Sequence, residues 1–234
     1  TWHWHNGGVV QVGKEASLAL HDLTGFEGRC EAILFCKDKL FKPTDDIEAL
    51  TKFRRQLLGL SDKPANGGEF DLIVSGGGLA GTCAAISAAR SGIKVALVQD
   101  RPVLGGNGSS EVRVWPEGHT NKELFPYVGD IVNEILPTVN RKFPGEVLNG
   151  VAASYYDDAR KKNIVLNEPN ITLLLNHRVI GVDTKGDEIT SIVIQSTITS
   201  NRLRLKGKLF ADCTGDAILG YKAGADYEYK AENL

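Results

Sequence analysis

Apolar residues follow more than one rhythm along this chain, and each rhythm predicts a different element. Near the start they come in short runs. Val9-Val10-Gln11-Val12 and Ser17-Leu18-Ala19-Leu20 run apolar or alternate, with Gly7-Gly8 and Gly13-Lys14 as turn signals beside them. Residues 29–36, preceded by Gly25 and Gly28, make a third strand candidate, and Trp2 and Trp4 alternate with His3 and His5. Three short strands do not hold a sheet alone. Residues 1–42 therefore read as a β-rich segment, either the tail of a preceding β-domain or a small sheet packing on the remainder of the chain.

The period then changes. Pro43-Thr44-Asp45 is a helix start, Ile47, Leu50, Phe53 and Leu57 recur at helical spacing, and Gly59 is a stop. Residues 61–68 are polar, with Pro and two Gly, and read as a linker. Residues 43–68 are thus a helix and linker, with a domain boundary in the linker.

Beyond it, Phe70-Asp71-Leu72-Ile73-Val74 is a short buried strand, residues 79–90 a helix rich in small residues, and Lys94-Val95-Ala96-Leu97-Val98 a second buried strand. This is a βαβ unit, with parallel strands and a right-handed crossover. Helices are predicted over about 126–136 and about 147–161. Strands are predicted over 171–175 and 179–183. A hairpin-like pair comes next, over 188–199 and 202–208, then a final buried strand at Leu209-Phe210-Ala211-Asp212.

Composition sharpens this picture at one point. Glycine is 26 of 234 residues, about 11%, against roughly 7% in average proteins, and the excess is clustered. Gly76-Gly77-Gly78-Leu79-Ala80-Gly81 is a G-x-G-x-x-G directly after a buried strand, opening a helix. In that setting Gly76 permits the tight turn, Gly78 lets a pyrophosphate approach the backbone, and Gly81 lets helix and strand pack closely. An acidic residue is expected at the end of the second strand to bind a ribose. The position holds Gln99, with Asp100 beside it and Arg101 next, so either Gln99 or Asp100 meets the ribose. A second loop, Gly105-Gly106-Asn107-Gly108-Ser109-Ser110, lets the chain run close along a ligand larger than NAD, with Asn107, Ser109 and Ser110 as polar groups. A third cluster, Asp212-Cys213-Thr214-Gly215-Asp216, follows the last apolar run, with Thr214-Gly215-Asp216 as a turn at the carboxyl edge of the sheet.

These clusters, in this order, resemble the FAD-dependent oxidoreductases with the two-dinucleotide-binding fold of the glutathione reductase type. The resembling residues lie in 71–81, 99–107 and 210–216, within about 69–230. The resemblance implies an α/β fold: a Rossmann-like FAD-binding domain over 69–234, three-layered, with a mainly parallel sheet and a β-meander, preceded by the β-rich segment and a helix. It implies FAD as cofactor, with its pyrophosphate at Gly76, Gly78, Leu79, Ala80 and Gly81 and its adenosine ribose near Gln99, Asp100 and Arg101. Gly105, Gly106, Asn107, Ser109 and Ser110 would run along the ribityl side and flavin. Thr214, Gly215 and Asp216 would border the dinucleotide, and Val179 would meet adenine through its backbone. It further implies a small-molecule substrate, with a carbohydrate derivative suggested by the β-rich flank. Bacterial members with attached β-rich domains point to the periplasm or cell envelope, with the cytoplasm as alternative.

Catalytic candidates are Arg113 and His119, which come after the second loop. Alternatively, Val112 and Val114 point inward from a short strand while Glu111 and Arg113 form a solvated face. Cys30, Cys36, Cys83 and Cys213 form no C-x-x-C pair, and His3 and His5 lack further ligands, so no metal is expected. A net charge of −2 gives no electrostatic case for nucleic acid, and no apolar run is long enough to insert in a membrane. Two other readings remain: an NAD-binding dehydrogenase fragment, and a glycan-binding module using Trp2 and Trp4 on a nucleotide-binding scaffold. The Thr1 start, the lack of methionine and the stop after the last strand suggest a piece of a larger flavoprotein.

Overall fold

A computed structural model describes residues 3–21, 23, 30–116, 124, 126–136 and 152–228. The chain divides into two compact units, residues 1–62 and 63–234.

In the first unit, helix α1 spans Ile47–Leu57. Asp46 caps it by accepting from the Ala49 N–H at 2.8 Å. Phe53 stacks on Phe41 with ring centroids 5.5 Å apart. The apolar stripe is not covered at its ends, where Ile47 and Leu57 stay exposed. The β reading of residues 1–42 is corrected: among the described residues of that segment none belongs to a strand. Alternation identifies a face only if a neighbouring strand supplies the ladder. Here Val9, Leu18 and Leu20 are exposed.

In the second unit six strands form one sheet: β1 Ala65–Ser75, β2 Val95–Val98, β3 Ile171–Leu174, β4 His177–Lys185, β5 Glu188–Ser196 and β6 Arg202–Asp212. Their order is β3-β2-β1-β6-β5-β4. The first four in that order are parallel, and β6, β5 and β4 form an antiparallel meander. Val95-Ala96-Leu97-Val98 is buried at every position, as a strand covered on both faces must be. Two expectations shift. Residues 65–68 are not linker but begin β1, with a register shift between Asn66 and Glu69. The strands expected at 202–208 and 209–212 are one continuous β6.

Helix α2 spans Leu79–Arg90, as its pattern predicts; α3 spans Asp130–Ile135, α4 Asp158–Leu166 and α5 Ile218–Ala223. The helix predicted over 147–161 lies partly outside the described residues. Its described part breaks at Asp157, whose φ of 41° is left-handed and whose carboxylate caps α4 on the Arg160 N–H. Two cores flank the sheet. Val74, Leu97, Ala85, Ile86, Ile135 and Val165 pack on the side of α2, α3 and α4. Ile73, Ala96 and Val98 meet Val179, Ile192, Ile194 and Leu219, from the meander and α5. Arg90 on α2 braces the helical layer, donating to both oxygens of Glu134 at 2.8 Å and to Glu168 at 2.7 Å.

Candidate dinucleotide site

Three strand ends stand side by side. Ser75, the last residue of β1, pairs in register with Val98 of β2 and with Asp212 of β6. The segments leaving these three residues carry the three clusters, all at the carboxyl edge of the parallel strands, where open α/β sheets bind ligands.

The first loop is locked by backbone contacts. The Gly76 N–H donates to Val98 O at 2.8 Å, and its φ of +101° suits glycine. A Cβ there would lie 2.4 Å from Cys213 O. A Cβ on Gly81 would lie 1.8 Å from Gly76 O, so helix and loop touch as the motif requires. The Thr82 hydroxyl donates to Gly77 O at 3.2 Å. Gly78 differs from both: a Cβ on it would meet nothing within 4 Å. It caps α2 without a side-chain hydrogen bond, so the first-turn N–H groups receive no acceptor from it.

The second loop lies directly against the first. The Gly105 N–H donates to Gly77 O at 2.8 Å, Gly78 and Gly105 form a parallel bridge, and a Cβ on Gly106 would approach Gly78 Cα at 3.2 Å. Residues 106–108 make a 3₁₀ turn. The buried Ser109 hydroxyl closes it by donating to Gly106 O at 2.6 Å, so that polar group is used within the loop. The Ser110 N–H donates to Asp158 at 3.2 Å. Asn107 stays exposed.

Gln99 is placed differently from the expectation. It is only 4% exposed. Its Oε1 accepts from the Gly77 N–H at 2.8 Å, and its Nε2 donates to Val103 O at 3.1 Å. It is a strut between the first loop and the chain leading into the second, and Asp100 beside it is exposed. Arg101 pairs with Glu111 at 3.1 Å. Val179 sits in the β4 ladder opposite Ile194, with its side chain in the core. Nearby, the His177 N–H donates to Gln99 O at 2.9 Å and ties β4 to the end of β2.

At the third cluster the turn is organised by a residue outside the Thr-Gly-Asp triplet. Asp212 accepts from the Thr214 N–H and hydroxyl at 3.0 and 2.6 Å, and from the Leu219 and Gly220 N–H groups at 2.9 Å each. Thr214 Oγ1 accepts from Ile218 N–H at 3.0 Å. The start of α5 is thus satisfied by the protein's own oxygens. Burial raises the Asp212 carboxyl pKa, but the bonds from Thr214, Gly220 and Leu219 outweigh it and hold it below the usual value. Gly215 and Asp216 are exposed.

Arg113 folds back onto the second loop. Its N–H donates to Ser109 O at 2.9 Å and its Nε to Ser110 O at 3.0 Å, with a left-handed φ of 62°. His119 lies outside the described residues. No strand forms at 111–114, and Val112 and Val114 are exposed rather than inward; the buried side chain is Trp115, tilted on Tyr156. Trp4 bonds Asp45 and Thr44 within the first unit, and Trp2 lies outside the described residues. Burial pushes the Cys83 thiol up to about 11, and burial followed by Asp212 raises that of Cys213; neither is set up as a nucleophile. Among the described residues no group of three or more His, Cys, Asp or Glu gathers for a metal, and no helix is long and apolar enough to cross a membrane. A hollow of about 190 Å³ lined by Pro64, Asn66, Arg204 and Lys206 lies at the far end of β1 from the loops.

The residues fit an extended dinucleotide: a glycine facing open space, first-turn N–H groups without a side-chain cap, and a second glycine loop against the first. No curated protein matches the chain. Solved structures resemble it at a distance. THI4 of Thermovibrio ammonificans has a TM-score of 0.45 and 20% identity over 77% of this chain and 69% of its own. The glycerol-3-phosphate dehydrogenase of Bacillus halodurans, complexed with FAD, has 0.44 and 18% over 74% and 39%. The L-proline dehydrogenase of P. horikoshii has 0.38 and 17% over 67%, and this chain spans 24% of its length. The profile of the family described as FAD dependent oxidoreductase matches residues 71–233, and the chain belongs to that family.

Proposed function

We propose that this chain forms the FAD-holding part of an oxidoreductase acting on a small molecule. The observation that carries the reading is the convergence of the two glycine loops on Gly78, the one motif glycine whose missing side chain leaves open space. The first-turn N–H groups of α2 bind and orient the pyrophosphate. Asp100 accepts from the adenosine ribose, and Gln99 holds the two loops at a fixed separation. The second loop carries the chain along the remainder of the cofactor. When bound, FAD supplies the hydride or electron exchange, and the protein orients it. The carbohydrate class suggested by a β-rich flank loses its premise, since no described residue of 1–42 lies in a strand.

The test is a titration of the purified protein with FAD and, separately, with NAD, tracked by thermal melting and visible absorption. FAD is expected to raise the melting temperature and give a yellow complex that releases FAD on denaturation. A colourless protein that takes up no FAD, or one stabilised by NAD alone, overturns the proposal.

A further inference from the structure

The second glycine loop rests on a buried cation. Lys161, on α4, is 0% exposed. Its aliphatic chain fills the space a side chain at Gly105 would need: a Cβ there would lie 3.0 Å from Lys161 Cε and 3.1 Å from Cδ. The ammonium donates to Tyr156 O and pairs with Asp158 at 3.6 Å. The same Asp158 accepts from the Ser110 N–H at 3.2 Å. One carboxylate therefore joins the lysine to the far end of the loop, while the lysine's own carbons underlie its start.

A buried lysine is costly to ionise, and burial does push the Lys161 pKa down while Asp158 opposes it. Yet a methionine would pack equally well under Gly105. The ammonium is needed only by what it bonds. Tyr156 also packs at a tilt on Trp115, which comes shortly after the loop.

We propose that Lys161 and Asp158 form a clamp beneath residues 105–110 that holds the second glycine loop against Gly78 and thereby sets the affinity for FAD. They are positioning residues: they act through the loop. The inference rests on the proposed binding of FAD.

The test compares the wild type with Lys161→Met, Asp158→Ala, Asp158→Asn and the double variant Lys161→Met/Asp158→Ala. Arg90→Gln, which loosens a brace elsewhere, is the control. Each is titrated with FAD at a temperature where the apo-protein is fully folded, and amide exchange over 105–110 is measured without FAD. Lys161→Met and Asp158→Ala are each expected to weaken FAD about tenfold or more, as loss of a charged hydrogen bond implies, and to speed exchange over 105–110. They should also blur the vibronic structure of the bound flavin's visible band. Asp158→Asn, which still accepts from Ser110, should recover part of the affinity. The double variant should lose little more than the worse single one. Arg90→Gln should lower the melting temperature and leave FAD affinity unchanged.

Folded Lys161→Met and Asp158→Ala proteins that bind FAD as tightly as the wild type overturn the proposal. So does unchanged exchange over 105–110. A wild type that takes up no FAD, but whose loop loses protection in both variants, overturns the cofactor reading and leaves the clamp standing.

Discussion

The two glycine loops look alike in sequence and are held by different means. In the first, the space around Gly76 and Gly81 is filled by backbone: Cys213 O and Gly76 O. In the second, the space around Gly105 is bounded more loosely, by Lys161 Cε at 3.0 Å and by Lys161 Cδ and Gly108 O at 3.1 Å. The backbone at Gly76 and Gly81 cannot retreat without moving a strand, whereas the contacts of 3.0–3.1 Å at Gly105 are relieved by a few tenths of an ångström. The first loop is therefore a rigid consequence of the β1–α2–β6 packing. The second adds to its backbone bond with Gly77 the side-chain bonds that come from α4.

Substitutions that fill the glycines should separate these modes. Gly81→Ala has the largest expected effect. Alanine favours a helix by up to about 1 kcal/mol, but the 1.8 Å approach to Gly76 O forces backbone apart. A net loss of about 3 kcal/mol or more is expected by urea denaturation, the upper end for overpacking. Gly105→Ala should cost less, about 1–2 kcal/mol, from its φ of +106°, since its nearest neighbours lie no closer than 3.0 Å. An equal loss at both positions would remove the distinction.

Asp212 tests the backing of the first loop. Its folded pKa is depressed, so its stabilisation is present above the unfolded value, about 3.9, and is lost as pH falls through the lower folded value. Asp212→Asn should flatten the acid limb of the stability–pH profile and weaken the α5 start by about 1 kcal/mol. Gly78→Ala should have the smallest effect on folding, about 0.5–1 kcal/mol, because alanine is a poorer N-cap than glycine but nothing lies within 4 Å. Its FAD affinity should nevertheless fall, read by fluorescence titration. A variant that binds FAD normally would mean the open space at Gly78 is not the cofactor's path.

The features legible in the sequence were local ones. The α2 boundaries come from a glycine at one end and Ser91-Gly92 at the other, and β2 from four consecutive apolar residues. The meander also showed, because alternation there meets a partner strand. The same alternation in residues 1–42 misled, since pattern reports a face but not whether anything lies beside it. At the site, Gly76 and Gly81 were readable because each answers a backbone requirement. Gln99 was not: its sequence position suggests a ribose, while its burial gives both ends of its amide to the loops. Lys161 and Asp158 carried a weaker signal, an i, i+3 charge pair on a helix, which ordinarily marks a solvated face. Asp212 opened the third cluster, but its partners Leu219 and Gly220 are seven and eight residues on.

The continuous strand β6 has a consequence for how the molecule assembles. With β5 it forms a hairpin whose strands are joined by a short turn, a fast local closure. With β1 it pairs across a separation of 137 residues, as the Lys206–Glu69 contact shows. Closure entropy places that pairing late. In a pulse-labelled refolding experiment, amides of the β5–β6 hairpin should gain protection before the Cys213 N–H, which bonds Ser75 O. The seam that joins the two halves of the sheet is also the wall behind Gly76, so late protection of the Cys213 N–H would mean that the cofactor's cradle is completed at the end of folding.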